Sequence, residues 1–181
     1  MQSFLILFLV LFVSFLIQTA VVPFLKIGGI QPDLVLIVIA VYAFIEGPVV
    51  GTVTGFVGGL LQDLATIRNM GLSALSKTIA GYLAGLAKKN VASENLALPV
   101  IAVFLISLST QTIYILLSFL VGDAIPFQKI FFRIIAPRAI YDGLLALPIY
   151  LLFLKIIFKK KDSRYLKGEY ILKKDKKIKL K

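Results

Sequence analysis

The chain changes character once, near residue 158. Residues 1–158 are apolar and are interrupted only by short groups of Gly, Pro and charged residues, whereas residues 159–181 read KKKDSRYLKGEYILKKDKKIKLK. Several apolar runs approach the length of about 20 residues that crosses a bilayer as a helix. The hydrophobic fraction of 59% also exceeds that of ordinary soluble domains. The sequence therefore predicts an all-α integral membrane protein, with a transmembrane helical bundle over residues 1–158 and a basic tail over residues 159–181.

The basic residues predict how this bundle is oriented. From Lys155 onward the chain contains twelve Lys/Arg and three Asp/Glu, so most of the net charge of +11 lies in the tail. Lysines beside transmembrane helices stay on the cytoplasmic side, where they are attracted to anionic lipids. The tail and Lys88-Lys89 are therefore predicted to be cytoplasmic. A tail of this kind can also bind nucleic acid, but its position after a membrane span favours lipid.

Breaks in the apolar pattern predict six spans, and with Lys88-Lys89 and the tail in the cytoplasm this number places both termini of the multi-pass protein there. The weakest break is Glu46-Gly47-Pro48, because a continuous helix over residues 34–61 would reduce the count to five; Gly-Pro after a charged residue favours a hairpin. Residues 124–136 are too short to span, and Lys129 and Arg133 four residues apart predict an interfacial helix there, with an ordinary loop as the alternative. The predicted spans are residues 3–25, 31–45, 49–65, 72–87, 96–121 and 137–158.

Two predicted spans carry small or polar residues at four-residue spacing, which places them on one helix face. Glycines at this spacing allow two helices to approach backbone to backbone. A short turn around Arg68-Asn69 joins the two spans, so a tightly packed antiparallel pair is predicted, although the spacing alone leaves open whether the partner helix belongs to the same chain. The stripes are Gly51, Gly55, Gly59 and Asp63 in the third span, and Ser73, Lys77, Gly81 and Gly85 in the fourth.

Five ionisable residues are predicted to lie in the outer third of the bundle. Charged side chains within a membrane mark either a functional site or an ion-pair network that fixes helix packing, and such a network can also shape a partner surface. Across the third and fourth spans, Asp63 and Lys77 are predicted to pair. The predicted polar cluster consists of Asp33, Asp63, Lys77, Arg138 and Asp142.

Residue types that are missing argue against an enzyme. The chain has no Cys, which excludes disulfide and thiolate chemistry, and no His, the commonest general base and metal ligand. It contains no Gly-rich phosphate loop followed by Lys-Ser/Thr, no H-E-x-x-H and no G-x-S-x-G. The carboxylates are too dispersed in the sequence to indicate a metal site. We therefore expect no catalytic residue, no metal and no cofactor.

Four segments in order resemble the MreD family of bacterial rod shape-determining membrane proteins. They are Gln31-Pro32-Asp33-Leu34-Val35-Leu36; Gly51, Gly55 and Gly58-Gly59-Leu60-Leu61-Gln62-Asp63; Gly71-Leu72-Ser73-Ala74-Leu75; and Gly81-Tyr82-Leu83-Ala84-Gly85. The likeness covers roughly residues 31–90 and continues more loosely at Pro137-Arg138 and Tyr141-Asp142. Two features depart from the family pattern: Asn is the more usual residue where Asp142 stands, and the lysine tail has no counterpart.

The resemblance implies a non-enzymatic scaffold in the cell-elongation machinery that builds lateral peptidoglycan. Its implied partners are an MreC-like bitopic membrane protein and, nearby, MreB filaments and a glycosyltransferase–transpeptidase pair. It also implies a six-helix bundle similar to the substrate-binding subunits of energy-coupling-factor vitamin transporters. On this hypothesis the small-residue faces and the outer polar cluster dock the partner, and the tail holds the inner face to anionic lipid.

Two other functions stay open on the sequence. One is a transporter substrate-binding subunit, whose pocket Tyr42, Tyr82, Tyr114 and Tyr141 would line. The other is a lipid- or precursor-handling protein that binds an anionic headgroup through Lys77 and Arg138.

Overall fold

The computed structural model describes residues 2–65, 71–88, 97–122 and 130–155, with side chains from residue 8 onward. Within these ranges the chain forms helices and no β-strand. The basic tail predicted over residues 159–181 and Lys89 lie outside the described residues. The helices are α1 Gln2–Ala20, α2 Leu34–Glu46, α3 Pro48–Ala65, α4 Leu72–Leu86, α5 Ala97–Leu120 and α6 Phe131–Lys155.

Two of the described helices, α5 and α6, are long and apolar enough to cross a bilayer by length and composition. The apolar part of α1, Phe8–Ala20, and the whole of α2 are shorter. Large apolar side chains cover much of the outside of the bundle, which suits contact with lipid better than contact with water. Examples on four helices are Phe12, Phe56, Leu116 and Leu144, which are 41%, 49%, 61% and 64% exposed.

The start of α6 differs from the prediction. The sequence predicts an interfacial helix over residues 124–136 and a separate span from residue 137, but residues 130–136 are continuous with α6, and residues 124–129 lie outside the described residues. The first turns, Phe131–Ile135, form a π-helix in which the Ala136 N–H donates to the Phe131 carbonyl. This wider turn accommodates Pro137, which has no N–H to continue the α-helical ladder. Arg133 therefore belongs to the last helix.

Helix α2 is the core of the bundle. All seven residues from Val35 to Val41 are buried, as are Ala43 and Phe44. The helix contacts α1, α3, α4 and α5. A helix that is apolar on every side must be surrounded by other elements, and α2 satisfies this rule with helices on all sides.

The break between α2 and α3 is a single glycine. Gly47 has φ of +106°, a conformation that L side chains rarely adopt, and Pro48 is the first residue of α3, where its missing N–H costs nothing. The two helices then run antiparallel, because Gly51 lies against Ala43 and Gly58 lies against Val35 and Ile39. The structure thus has a helical hairpin here and not one kinked helix.

Helices α1 to α4 alternate in direction. Helices α3 and α4 meet with Gly51 opposite Gly81 and Gly59 opposite Ala74, and Gln18 near the end of α1 reaches the start of α2. One end of the bundle therefore carries the ends of α1 and α3 and the starts of α2 and α4; we call it the Asp33 end. The opposite end carries Gly47 and the Lys88 side chain beside it, and we call it the Lys88 end.

The connection between α1 and α2 is not helical beyond a 3₁₀ turn at Val22–Leu25. Ile27 and Ile30 exchange two backbone hydrogen bonds of 3.0 Å around Gly28 and Gly29, whose φ angles are +60° and +84°. Two consecutive positive φ values are typical of the tight two-residue turn of a β-hairpin. This Gly28–Gly29 turn projects from the Asp33 end.

Contact density divides the chain into two compact units, Met1–Ile149 and Tyr150–Lys181. The first unit contains the bundle described above. Within the second, the described residues 150–155 are the last residues of α6.

Candidate functional site

The glycine stripes lie at the contact between α3 and α4 of the same chain. A methyl group built on Gly51 would overlap the Gly81 carbonyl oxygen, and one built on Gly55 would overlap the Lys77 carbonyl oxygen. Gly59 lies in the same way against Ala74, and Gly85 against Pro48. The two backbones are therefore in direct contact along the whole pair, as G-x-x-x-G patterns allow. These faces are filled from within the chain, so they cannot also receive a partner helix.

Asp33 is the centre of the buried polar cluster. Its carboxylate forms an ion pair with Lys77 of α4 and lies 3.6 Å from the Arg138 guanidinium of α6. Its Oδ1 atom accepts a hydrogen bond of 3.1 Å from Gln62 of α3 and one of 3.0 Å from the Leu36 N–H. Asp33 thus caps the first turn of α2 while it joins that helix to three others.

Asp142 reaches Asp33 from the other side. Its Oδ1 atom accepts the Asp33 backbone N–H at 2.8 Å, and its Oδ2 atom accepts the hydroxyl of Ser107 in α5 at 2.5 Å. Gln111, one turn further along α5, donates to the Ser107 oxygen at 3.1 Å. Asp142 is fully buried, so both of its oxygens are used to satisfy donors that water cannot reach.

Gln18 completes the start of α2. Its amide nitrogen donates to the Pro32 carbonyl at 2.9 Å, and its oxygen accepts the Leu34 N–H at 2.7 Å. Non-helical backbone within a bilayer is tolerated only where protein or water satisfies its polar groups. Gln18 and Asp142 satisfy the backbone polar groups of the residues just before α2. Helix α2 itself has only 13 residues and is about 20 Å long. That is less than the roughly 30 Å of a hydrocarbon core.

Asp63 has a different role from the one predicted. The predicted pair between Asp63 and Lys77 is wrong, because Lys77 binds Asp33. The Asp63 carboxylate instead accepts three backbone N–H groups at the start of α4, from Gly71, Ser73 and Ala74, at 2.9, 3.1 and 2.9 Å. The first turn of a helix has free N–H groups and a partial positive charge, which together attract a carboxylate.

Four of the five predicted charged residues therefore come together, and Asp63 stands apart. Sequence reasoning missed Gln18, Gln62 and Ser107. Each is a polar residue in an apolar helix, which is the only signal that the sequence offers for them. The partners of Gln18 and Gln62 depend on the path of the connection over residues 21–33, which no periodicity predicts, and Ser107 meets Asp142 through the packing of α5 against α6.

The cluster is electrically balanced and closed. Two acids, Asp33 and Asp142, face two bases, Lys77 and Arg138, and Lys77 is only 4% exposed. A headgroup site built on Lys77 is therefore not open. Arg138 is the most exposed member, with a side chain 26% exposed, although its Nε atom is buried and has no hydrogen-bond partner among the described residues. Over the described ranges, no group of three His, Cys, Asp or Glu is placed to hold a metal ion.

An apolar helical exterior around a buried, charge-balanced polar cluster defines an integral membrane helical bundle. The chain matches the family model of the rod shape-determining protein MreD over residues 1–160, and it belongs to that family. Family membership places it among membrane proteins with a role in rod-shape determination and cell elongation. Neither the curated protein sequences nor the solved structures contain a significant match, so the expected likeness to vitamin-transporter subunits has no support there.

Proposed function

We propose that the chain is a non-enzymatic scaffold of the cell-elongation machinery in the bacterial inner membrane, and that it docks an MreC-like bitopic protein. The proposal rests on one observation: the buried polar side chains form their hydrogen bonds and ion pairs within the chain. Asp33, Asp142, Lys77 and Gln18 all bind other parts of the same chain. A cluster whose donors and acceptors are bound by other groups of the same chain suits a rigid support better than a reaction centre.

We further propose that the chain crosses the membrane six times and that both termini lie in the cytoplasm. The alternation of α1 to α4 puts Lys88 at the end opposite to Asp33, and basic residues favour the cytoplasmic side. The Asp33 end then faces outward. We further propose that the lysine-rich tail binds anionic lipid, and that the glycosyltransferase–transpeptidase pair and MreB lie close to the complex.

The docking surface must lie on the outside of the bundle, because the glycine faces are occupied. The partner's transmembrane helix would therefore contact the apolar side chains that α1, α3, α5 and α6 expose. Gly→Leu substitutions at Gly55 or Gly81 should therefore disrupt the bundle itself and not only the complex.

The test is co-expression with the MreC-like protein of the same genome, followed by co-purification in mild detergent. A photo-crosslinking amino acid placed at Phe12, Phe56, Leu116 or Leu144 samples one exposed helix each, and Val38 serves as the buried control. A crosslink from one helix or two neighbouring helices, with none from Val38, would support docking and locate the surface. Purification of the chain alone in several detergents, with no crosslink at any position, would contradict the scaffold role.

A further inference from the structure

A cleft opens between the Gly28–Gly29 turn and the first turns of α6. Its volume is about 550 Å³, within the range of ligand-binding clefts. Its walls are three isoleucines, two glycines and one arginine: Ile30, Ile130, Ile134, Gly28, Gly29 and Arg133. None of these residues takes part in the Asp33 cluster.

The cleft lies at the surface of the bundle and not in its interior. Tyr141 of α6 donates to the Leu25 carbonyl at 3.3 Å, and Asp142 accepts the Asp33 N–H. Both ends of the connection between α1 and α2 are therefore held beside Tyr141 and Asp142 of α6. The cleft-lining residues of α6 lie about two to three turns earlier, or roughly 10–17 Å nearer the start of the helix. Phe132, next to Arg133 in the sequence, is 71% exposed, and Phe24, four residues before Gly28, is 88% exposed. An exposed arginine beside an exposed aromatic residue is typical of the zone where acyl chains meet headgroups.

Among the described residues, Arg133 is the only charged residue in the cleft lining, and it has no carboxylate partner there. A guanidinium binds phosphate through two parallel hydrogen bonds, a geometry that lysine cannot reproduce. The π-helical turn that carries Arg133 is a backbone form found often at functional sites. On the opposite wall, no described atom lies within 4 Å of a Cβ built on Gly28 or Gly29, so that wall is open among the described residues.

We propose that this cleft is a selective site for an anionic phospholipid such as phosphatidylglycerol. Arg133 binds the phosphate, and Ile30, Ile130 and Ile134 contact the first part of an acyl chain. Because the described lining offers one cation, apolar walls and no carboxylate, it favours a lipid of net negative charge over a zwitterionic lipid. The site does not depend on the scaffold role, because it needs only this chain and a bilayer.

The test uses the full chain in bilayer discs made from an equimolar mixture of dioleoylphosphatidylglycerol and dioleoylphosphatidylcholine. Lipid that stays bound after transfer to mild detergent is counted by native mass spectrometry. We expect phosphatidylglycerol to be enriched in the bound lipid, and Arg133→Gln to reduce that enrichment about tenfold, the effect of one lost charge-assisted contact. Arg133→Lys should retain part of it. Ile134→Trp should abolish it by filling the cleft while Arg133 is kept.

The matched control is Lys88→Gln, which removes the same charge at the opposite end of the bundle. Unchanged enrichment there, together with loss in Arg133→Gln and Ile134→Trp, would support the site. Equal losses in Arg133→Gln and Lys88→Gln would show general electrostatic attraction and overturn the proposal. Unchanged enrichment in Arg133→Gln, or no preference in the unmodified chain, would overturn it as well. Circular dichroism checks that each variant is folded, and Ile134→Trp keeps the test decisive if Arg133→Gln does not fold.

Discussion

Asp33 combines two tasks that proteins often give to separate residues. Its carboxylate caps α2 and also neutralises Lys77, which is buried in the side of α4. Removing one partner of a buried ion pair leaves an uncompensated charge, and this is much more costly than removing both. The pair therefore predicts a strong coupling between the two positions.

We expect Lys77→Met to lower the free energy of unfolding by about 3–5 kcal/mol, because Asp33 then keeps only the more distant Arg138 as a cationic partner. Asp33→Asn combined with Lys77→Met should cost clearly less than the sum of the two single changes. Unfolding by sodium dodecyl sulfate in detergent micelles measures all four members of the cycle. Additive single effects would contradict the direct pairing.

Asp142 predicts a contrast between two substitutions. Asn keeps one oxygen for the Asp33 N–H, and the Ser107 hydroxyl can rotate to accept from the new amide. Ala leaves both donors unsatisfied, which costs about 1–3 kcal/mol for each buried group. We therefore expect Asp142→Ala to lower the thermal midpoint in detergent far more than Asp142→Asn does. Equal shifts would indicate that the negative charge is the important property and not the hydrogen bonds.

At the scale of the helices, α3 and α4 form a pair that tolerates no added atom. In an ordinary helix, Gly→Ala stabilises by up to about 1 kcal/mol. Gly55→Ala should have the opposite sign, because the methyl group overlaps the Lys77 carbonyl. We expect a loss of about 1–3 kcal/mol, typical of overpacking. Gly143→Ala in α6 is the control, since its methyl group would lie 3.2 Å from the nearest atoms, a distance that a small shift relieves. Similar thermal midpoints for the two variants would contradict this account.

The sequence predicts the helices better than it predicts their connections. Apolar length, the Glu46-Gly47-Pro48 break and the glycine stripes all depend on local chemistry, and they place α2, α3 and α4 within a few residues. The predicted start of the last span at residue 137 is wrong, because proline is typical of the first turn of a helix, but here the π-helical turn Phe131–Ile135 lets the helix continue through Pro137. The partners of Asp33 and Lys77 could not be predicted either, because they depend on where the connection before α2 places Asp33 relative to α4 and α6.

At the scale of the whole molecule, the orientation in the membrane determines which end of the bundle faces the cytoplasm. The chain has no Cys, so a single introduced thiol reports its own position. We expect Lys26→Cys to react with a membrane-impermeant maleimide in intact cells, and Lys88→Cys to react only after the membrane is opened. Val41→Cys, buried in the core, should react in neither case. Labelling of Lys88→Cys in intact cells would reverse the proposed orientation.

The hydrogen bond from Asp33 to Asp142 joins residues 109 positions apart in the sequence. It therefore has a consequence for the order of events during synthesis. When α2 leaves the ribosome, Asp142, the acceptor for the Asp33 N–H just before the helix, has not yet been made, and neither has Lys77. A nascent chain stalled before α6 would leave the Asp33 backbone N–H without its acceptor and Asp33 without Arg138, an arrangement that the bilayer disfavours. We expect α2 to take its final position only after α6 is present, and chains truncated before Asp142 to be degraded faster than the complete chain in a pulse-chase measurement.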